Sequence, residues 1–280
     1  MQATNPTVNS SFAACFKLRA NCVSIPSSVL TLILTKHAMA VLPKSGSRSI
    51  RIRPTASIQV PTAKNPLIVA ITNLKGGVAK TTTAVHFAEY LRQFGETILV
   101  DSDPNRSAIA WAGRAHVEDG SFRVINEIQL ARYSGQACAY VIDTKARPDA
   151  DDLKALVDTA TLIVLPTTTS GDDLRVTAQT AQLLTGVGSR HHYALITKAN
   201  PQGVSDVVEA KKFLEAEGLS VFQHWVRQYK VYQYAFLEGV PVYRVKNPKA
   251  QDAWADYQTV MQEVMQNVSQ ELAQETHHAN

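Results

Sequence analysis

The stretch Leu67–Thr83, LIVAITNLKGGVAKTTT, decides how the rest of the chain is read. Leu67 to Thr72 is an apolar, β-branched run, the pattern of a parallel strand covered on both faces. Lys75-Gly76-Gly77-Val78-Ala79-Lys80 then makes a glycine-bearing turn, and Thr81, Thr82 and Thr83 open a helix. Strand, turn and helix start in that order present bare backbone N–H groups at the positive end of a helix dipole, which is an anion cradle. Lys80 adds a charge for the β- and γ-phosphates of a nucleotide, and the Thr81 hydroxyl suits Mg²⁺. The stretch reads as a phosphate-binding loop.

Downstream, apolar runs end in carboxylates. Thr97 to Val100 delivers Asp101-Ser102-Asp103-Pro104, and Ala139 to Ile142 delivers Asp143. Ligand sites in open parallel sheets gather at the carboxyl ends of strands, so these acids are expected beside the phosphate loop. The second run has the form whose carboxylate supports Mg²⁺, usually through water.

Further strands are expected at Phe122–Asn126, Thr161–Leu165, Tyr193–Thr197 and Ser220–Val226. The spacing predicts helices over Thr81–Phe94, Ser107–Arg114, Ala150–Thr159, Gly171–Leu184, Val204–Glu217 and Tyr229–Leu237. Helix 81–94 turns Ala84, Phe87, Ala88 and Leu91 to one face, with His86 an ordinary packed or half-exposed residue beside it, and stops at Gly95. A last helix, about Pro248 to Gln274, sets Trp254, Tyr257, Met261, Val264, Val268 and Leu272 on one stripe. Alternating strands and helices predict an α/β fold: a doubly wound, mostly parallel sheet with helices on both faces, as one domain over 65–280.

The net charge of +4 hides an asymmetry. Residues 1–64 carry eight Lys or Arg and no Asp or Glu, leaving 20 basic against 24 acidic residues over 65–280. The first part is Ser/Thr/Pro-rich, lacks a sustained period, and is expected to be a disordered basic extension. Three origins fit it: an organelle transit peptide, a basic arm on nucleic acid, or an upstream extension of the frame with Met39 as the working start. Its longest apolar run, Val29–Leu34, is too short to span a bilayer and too deep for a secretory signal. Cys15, Cys22 and Cys138 form no C-x-x-C pair or Cys/His cluster, so neither a zinc site nor a disulfide framework is suggested. His191, His192, His277 and His278 read as solvated residues.

The loop departs from G-x-x-x-x-G-K-[ST] at both outer glycines, where Leu74 and Ala79 stand. What remains, K-G-G-x-x-K-T-T, followed in order by D-x-D-P and an apolar run ending in Asp, resembles the deviant Walker A loop of the ParA/MinD superfamily of P-loop NTPases over roughly residues 66–270. The mark of that family is a second lysine early in the loop, here Lys75. The lack of an N-terminal helix-turn-helix domain makes the chain similar to the short ParA-type partition ATPases.

The resemblance implies a cofactor pair of ATP and Mg²⁺ and a sandwich homodimer that closes on ATP. It places the nucleotide on Lys75, Gly76, Gly77, Val78, Ala79, Lys80, Thr81 and Thr82. Lys75 would reach the partner's ATP and Lys80 would hold the phosphates of its own. Thr81 and Asp143 would support the metal, Asp101 would help hold metal or Lys75, and Asp103 would orient the attacking water. It further implies nonspecific DNA binding by the ATP-bound dimer, a small ParB-type adaptor that stimulates hydrolysis, a cytoplasmic, nucleoid-associated location, and a cargo that is a plasmid, a chromosome or another body. If the Ala79 position needs a positive φ, alanine there costs on the order of 1 kcal/mol. Thr144-Lys145-Ala146-Arg147-Pro148 adds two charges where the family often has Thr-Pro-Pro, and reads as a solvated loop.

Other functions fit less of the chain. A metabolic synthetase or amidotransferase of the same fold needs substrate-binding insertions, and iron-protein relatives need cluster cysteines. A MinD-type regulator would end in a basic amphipathic helix. Here the outer face of the last helix is Gln, Asp and Glu, so no stable membrane association is expected. A scaffold that binds ATP with little hydrolysis stays open because of Ala79. For DNA the candidates are Arg227, Lys230, Arg244, Lys246 and Lys249, interleaved with Tyr229, Tyr232, Tyr234 and Tyr243 and facing one acid, Glu238.

Overall fold

In this computed structural model residues 60–114 and 122–278 are described, with side chains as far as 270. The extension expected over 1–64 therefore lies outside the described residues, except for its last five.

Strand β1 (Leu67–Ile71) is buried along its whole length. It is flanked by β4 (Ala139–Thr144) and β5 (Leu162–Thr167), and beyond them lie β2 (Thr97–Ser102), β3 (Arg123–Asn126), β6 (His192–Ile196) and β7 (Ser220–Val221). Every pairing is parallel, in the order β3-β2-β4-β1-β5-β6-β7. The expected doubly wound sheet is the observed one.

Period-two alternation divides the core between two faces. Leu67, Val69 and Ile71 point to one side, where they meet Phe87 and Leu91 of α1 (Lys80–Leu91) and Tyr257, Met261 and Val264 of the last helix. Ile68 and Ala70 point to the other, against Leu153, Leu174, Leu184 and Leu214. Those four belong to the helices that follow α2 (Ser107–Ala112) and α3 (Leu130–Tyr133): α4 (Ala150–Thr159), α5 (Gly171–Gly186) and α6 (Val204–Ala216). Then come α7 (Val231–Glu238) and α8 (Ala250–His278). As far as Val268 the stripe expected on α8 faces the sheet, and Leu272 lies beyond the described side chains. Because β1 is central, with β4 on one side and β5 on the other, the crevice beyond its carboxyl end is where such sheets take ligands.

Two expected elements differ. The helix from Thr81 to Phe94 is α-helical only to Leu91; a 3-10 turn carries it to Phe94, and Gly95 ends it at φ 145°, where a Cβ would meet the Cys138 sulfur at 3.1 Å. The strand expected over Ser220–Val226 pairs regularly only at Ser220–Val221. The Glu263 carboxylate of α8 takes the Gln223 and His224 N–H groups at 2.6 and 3.0 Å, so those residues leave the ladder before Val226 rejoins it at the Ile196 carbonyl.

His86 is more tightly held than expected. Only 2% exposed, its ring stacks on Tyr257 at 4.6 Å and meets Tyr232 edge-on at 5.6 Å. The Val242 N–H donates to Nε2 at 3.2 Å, which leaves Nδ1 to carry the hydrogen and donate to the Thr82 carbonyl at 2.6 Å. Burial lowers its pKa to about 4 from the ordinary 6.5, with the Thr82 bond opposing. A base whose folded pKa is depressed stabilises the fold fully above its unfolded pKa and loses that contribution as pH falls through the folded one. The His86 contribution to the unfolding free energy should therefore fall by up to about 3 kcal/mol between pH 6.5 and 4, read as the difference between the parent and His86→Gln. Denaturant titrations at stepped pH read this; identical slopes in both proteins would show that His86 is not buried neutral.

Candidate functional site

The registers of β1, β4 and β2 set Ile71 and Asp101 on either side of Asp143. Three strand ends thereby converge where the chain leaves β1 for the loop. Asp143 is fully buried, and the Thr81 hydroxyl beside it makes no full hydrogen bond to either carboxylate oxygen. Burial pushes its pKa up to about 7, against the pull of the Thr81 hydroxyl and the Lys80 ammonium, and the Asp101 and Asp103 charges add to the rise.

Lys80 begins α1, 8% exposed. Its ammonium donates back to the carbonyls of Lys75 (2.8 Å) and Asn73 (3.4 Å). Burial lowers its pKa, opposed by Asp143 and then Asp103. A desolvated ammonium and a desolvated carboxyl group thus face the same mouth, which suits a ligand with both phosphate oxygens and a hydrated metal. Mg²⁺ is usually held by one or two carboxylates plus phosphates, so this site needs no cage of protein ligands; among the described residues no three His, Cys, Asp or Glu converge into one. Thr81 and Asp143 are the residues that would hold the ion.

Asp101 is differently placed. Its oxygens accept the N–H groups of Asp103 (3.1 Å) and Ile109 (2.9 Å), so it fixes the turn that carries Asp103. Asp103 itself accepts from the Asn105 N–H at 2.9 Å, a short side-chain turn. Arg106, in left-handed backbone at φ 52°, bonds the Asp101 carbonyl and grips Glu127 with both terminal nitrogens, the second at 2.7 Å. Nothing in the motif pattern singles out Arg106 or Glu127.

The loop is braced from the far side of the sheet by residues whose role the sequence did not announce. Asn73 donates to the Pro166 carbonyl and the Thr177 hydroxyl at 2.9 and 2.8 Å and accepts the Lys75 N–H at 2.9 Å. Thr197, just past β6, donates to the Val78 carbonyl at 3.1 Å, and Lys198 donates to that of Gly77 at 2.6 Å. Gly77 lies at φ 78° and Ala79 at φ 67°, so the alanine is in the left-handed region. The conditional cost attached to Ala79 is therefore real.

Lys75 does not point at the loop's own cradle. It is ion-paired with Asp172, and with Asp173 at 3.3 Å, at the start of α5; the Asp172 bond is the main cause of its raised pKa. Lys145 likewise pairs with Asp152 at 2.6 Å, consistent with a surface loop.

Beside the cradle opens a cleft of about 420 Å³. Its lining includes Ala79, Thr82, Thr197, Val226, Tyr229 and Tyr232. Its size and mixed aromatic and polar lining suit a nucleoside. Arg227 also lines it, and its guanidinium is bound to Asp256 at 2.6 Å. Of the basic residues expected to meet DNA, Arg227 and Lys249 thus have carboxylate partners, the latter Asp252 at 2.8 Å. Lys230 lies over Tyr234 and Arg244 over Tyr243, each 5.8 Å from the ring centre, and Lys246 is exposed.

A parallel sheet with a phosphate loop after its central strand and acidic ends on the strands beside it defines a P-loop nucleotide-binding protein. Residues 69–242 match the family model of the CobQ/CobB/MinD/ParA nucleotide binding domain, and the chain belongs to that family. It is 35% identical over 208 residues to the maintenance of carboxysome distribution protein A of Gloeobacter kilaueensis, covering 72% of this chain and 96% of the relative. Its fold is shared by the ATP complex of a Cyanothece McdA variant, at a TM-score of 0.56 and 13% identity over 71% of this chain and 96% of that one. A putative plasmid partition protein of Borrelia burgdorferi B31, bound to AMPPNP, superposes at 0.55 with 14% identity over 72% and 99%.

Ala79→Gly should stabilise the chain by about 1 kcal/mol, since glycine accepts φ 67° without the Cβ clash and the relief exceeds the added freedom of the unfolded chain. Urea unfolding reads it directly; a loss of stability would show that the alanine side chain contributes packing worth more than the strain.

Proposed function

We propose that the chain is an ATP-driven positioning ATPase: two copies close face to face on ATP, the closed pair holds DNA without regard to base sequence, and hydrolysis releases it. The observation that carries this reading is the buried Lys80 ammonium and, separate from it, the buried Asp143 carboxyl group at the mouth of the loop. The family membership and the carboxysome-distribution relative support it, and make a protein body as cargo the first choice over a plasmid or chromosome. The nucleotide domain is assigned to residues 65–280. A nucleoid-associated, cytoplasmic location and a small ParB-type adaptor belong to the same proposal.

In the reaction, water attacks the γ-phosphorus, the bond to the β,γ-bridging oxygen breaks, and ADP and phosphate leave. Lys80 and the loop N–H groups neutralise the phosphates, and Asp103, on a turn that Asp101 and Arg106 hold, positions the water. Mg²⁺, when bound, adds further charge neutralisation at the phosphates. Lys75 must exchange Asp172 and Asp173 for the partner's nucleotide, so closing the dimer requires breaking that pair. The DNA face is assigned to Arg227, Lys230, Arg244, Lys246 and Lys249, of which Arg227 and Lys249 are paired with Asp256 and Asp252.

Lys80→Ala should abolish ATP binding, whereas Lys75→Ala should bind ATP within a few-fold of the parent and fail to dimerise with it. Calorimetric titration paired with sedimentation separates the two, and equal loss of binding in both would remove the cross-subunit role. Asp103→Ala should stop hydrolysis while the ATP-bound dimer persists; unchanged phosphate release would move the water-positioning role elsewhere. With ATP, Arg244 and Lys246 replaced by Ala should weaken all DNA sequences alike and flatten the dependence of affinity on salt, because fewer counterions are released. Full binding without nucleotide would contradict the assignment.

A further inference from the structure

Helix α1 starts in the phosphate loop, and two of its side chains, one turn apart, hold the turn Val242–Arg244. His86 takes the Val242 N–H at 3.2 Å, and Glu89, itself buried, accepts the Tyr243 hydroxyl at 2.7 Å. On its other side the same imidazole bonds the carbonyl of Thr82, in the first turn of the helix that leaves the cradle. Because Nε2 accepts, Nδ1 donates, so one tautomer serves both contacts and the ring cannot flip without losing both. Tyr257 stacks on the ring and bonds the Thr83 hydroxyl at 3.2 Å, and Tyr232, in the lining of the nucleoside cleft, closes the edge at 5.6 Å. Val242 is fully buried. A close-packed path with no slack runs from the cradle through one side chain to that turn.

We infer that His86 is a positioning residue that couples occupancy of the nucleotide cradle to the Val242–Arg244 turn, and so to Arg244, its last residue. The inference rests on the nucleotide-binding reading above. It supplies what that reading lacks, a physical link between ATP and a candidate DNA face that the cradle does not touch. Coupling between sites is ordinarily a factor of about 5 to 150, and it is reciprocal. Whatever a filled cradle does to the Thr82 carbonyl, the Val242 amide should register through His86.

The test is hydrogen exchange at the Val242 amide in the full-length chain, with and without ATP and Mg²⁺, beside a calorimetric ATP titration of the same samples. In the parent, ATP should slow exchange at Val242 at least about fivefold. His86→Asn keeps a donor for Thr82 but cannot reach Val242, so that amide should exchange faster and lose its response to ATP. His86→Gln can accept from Val242 but gives up the Thr82 bond, so basal protection should return while the response to ATP stays lost. A role confined to packing would change basal protection and leave the ATP response intact. If ATP binds the parent and Val242 does not respond, or if His86→Gln responds as the parent does, the coupling is overturned and nucleotide binding stands. If ATP does not bind the parent at all, the nucleotide reading fails and the coupling with it.

Discussion

At the carboxyl ends of β4 and β1, a carboxyl group and an ammonium are held out of water without being given to each other. Asp143 lies between Ile71 and Asp101 in the sheet with both oxygens unbonded. Lys80 lies just beyond, its ammonium turned back to loop carbonyls. Each desolvation costs free energy, and a direct, well-bonded ion pair would recover much of it. The chain instead keeps the two charges apart across a mouth where a bound ligand with the opposite charge to each can sit. Such stored cost persists only where the surroundings fix the groups in place.

The surroundings do so from three directions. Behind the loop, Asn73 and Thr197 tie its backbone to the ends of β5 and β6 and to α5. In front, Asp101 and Arg106 fix the Asp103 turn against β3's end. From below, α1 is locked to α8 and to the Val242–Arg244 turn through His86, Tyr257 and Glu89. Against that bracing, the left-handed alanine at 79 and the left-handed Arg106 are tolerable, each at a cost of order 1 kcal/mol. The loop is a strained backbone held by its neighbours, and family membership identifies the kind of ligand it is held for.

Much of this was legible in the sequence, for reasons that are local. Apolar β-branched runs ending in Asp101 and Asp143 are chain-local signals, and parallel pairing then forces their ends together. The stripe on α8 is likewise a matter of spacing along one helix. What was hidden depends on contacts distant in sequence: Asn73 meets Thr177, Thr197 meets Val78, and His86 meets Val242. Nothing at His86 alone distinguishes a buried relay from a half-exposed polar residue. The same limit applies to charge. A run of basic residues between 227 and 249 looked uniform, yet Asp256 and Asp252, brought in by α8, neutralise two of its members. The early end of β7 comes from Glu263, forty residues downstream of Gln223.

A metal ion carried in with the nucleotide would find Asp143 unpaired. The direct measurement is ATP affinity with and without Mg²⁺ in the parent and in Asp143→Asn. Mg²⁺ should tighten ATP binding by about tenfold or more in the parent, the worth of one good bond, and by little in the variant. An equal effect of Mg²⁺ in both proteins, or none in the parent, would contradict this.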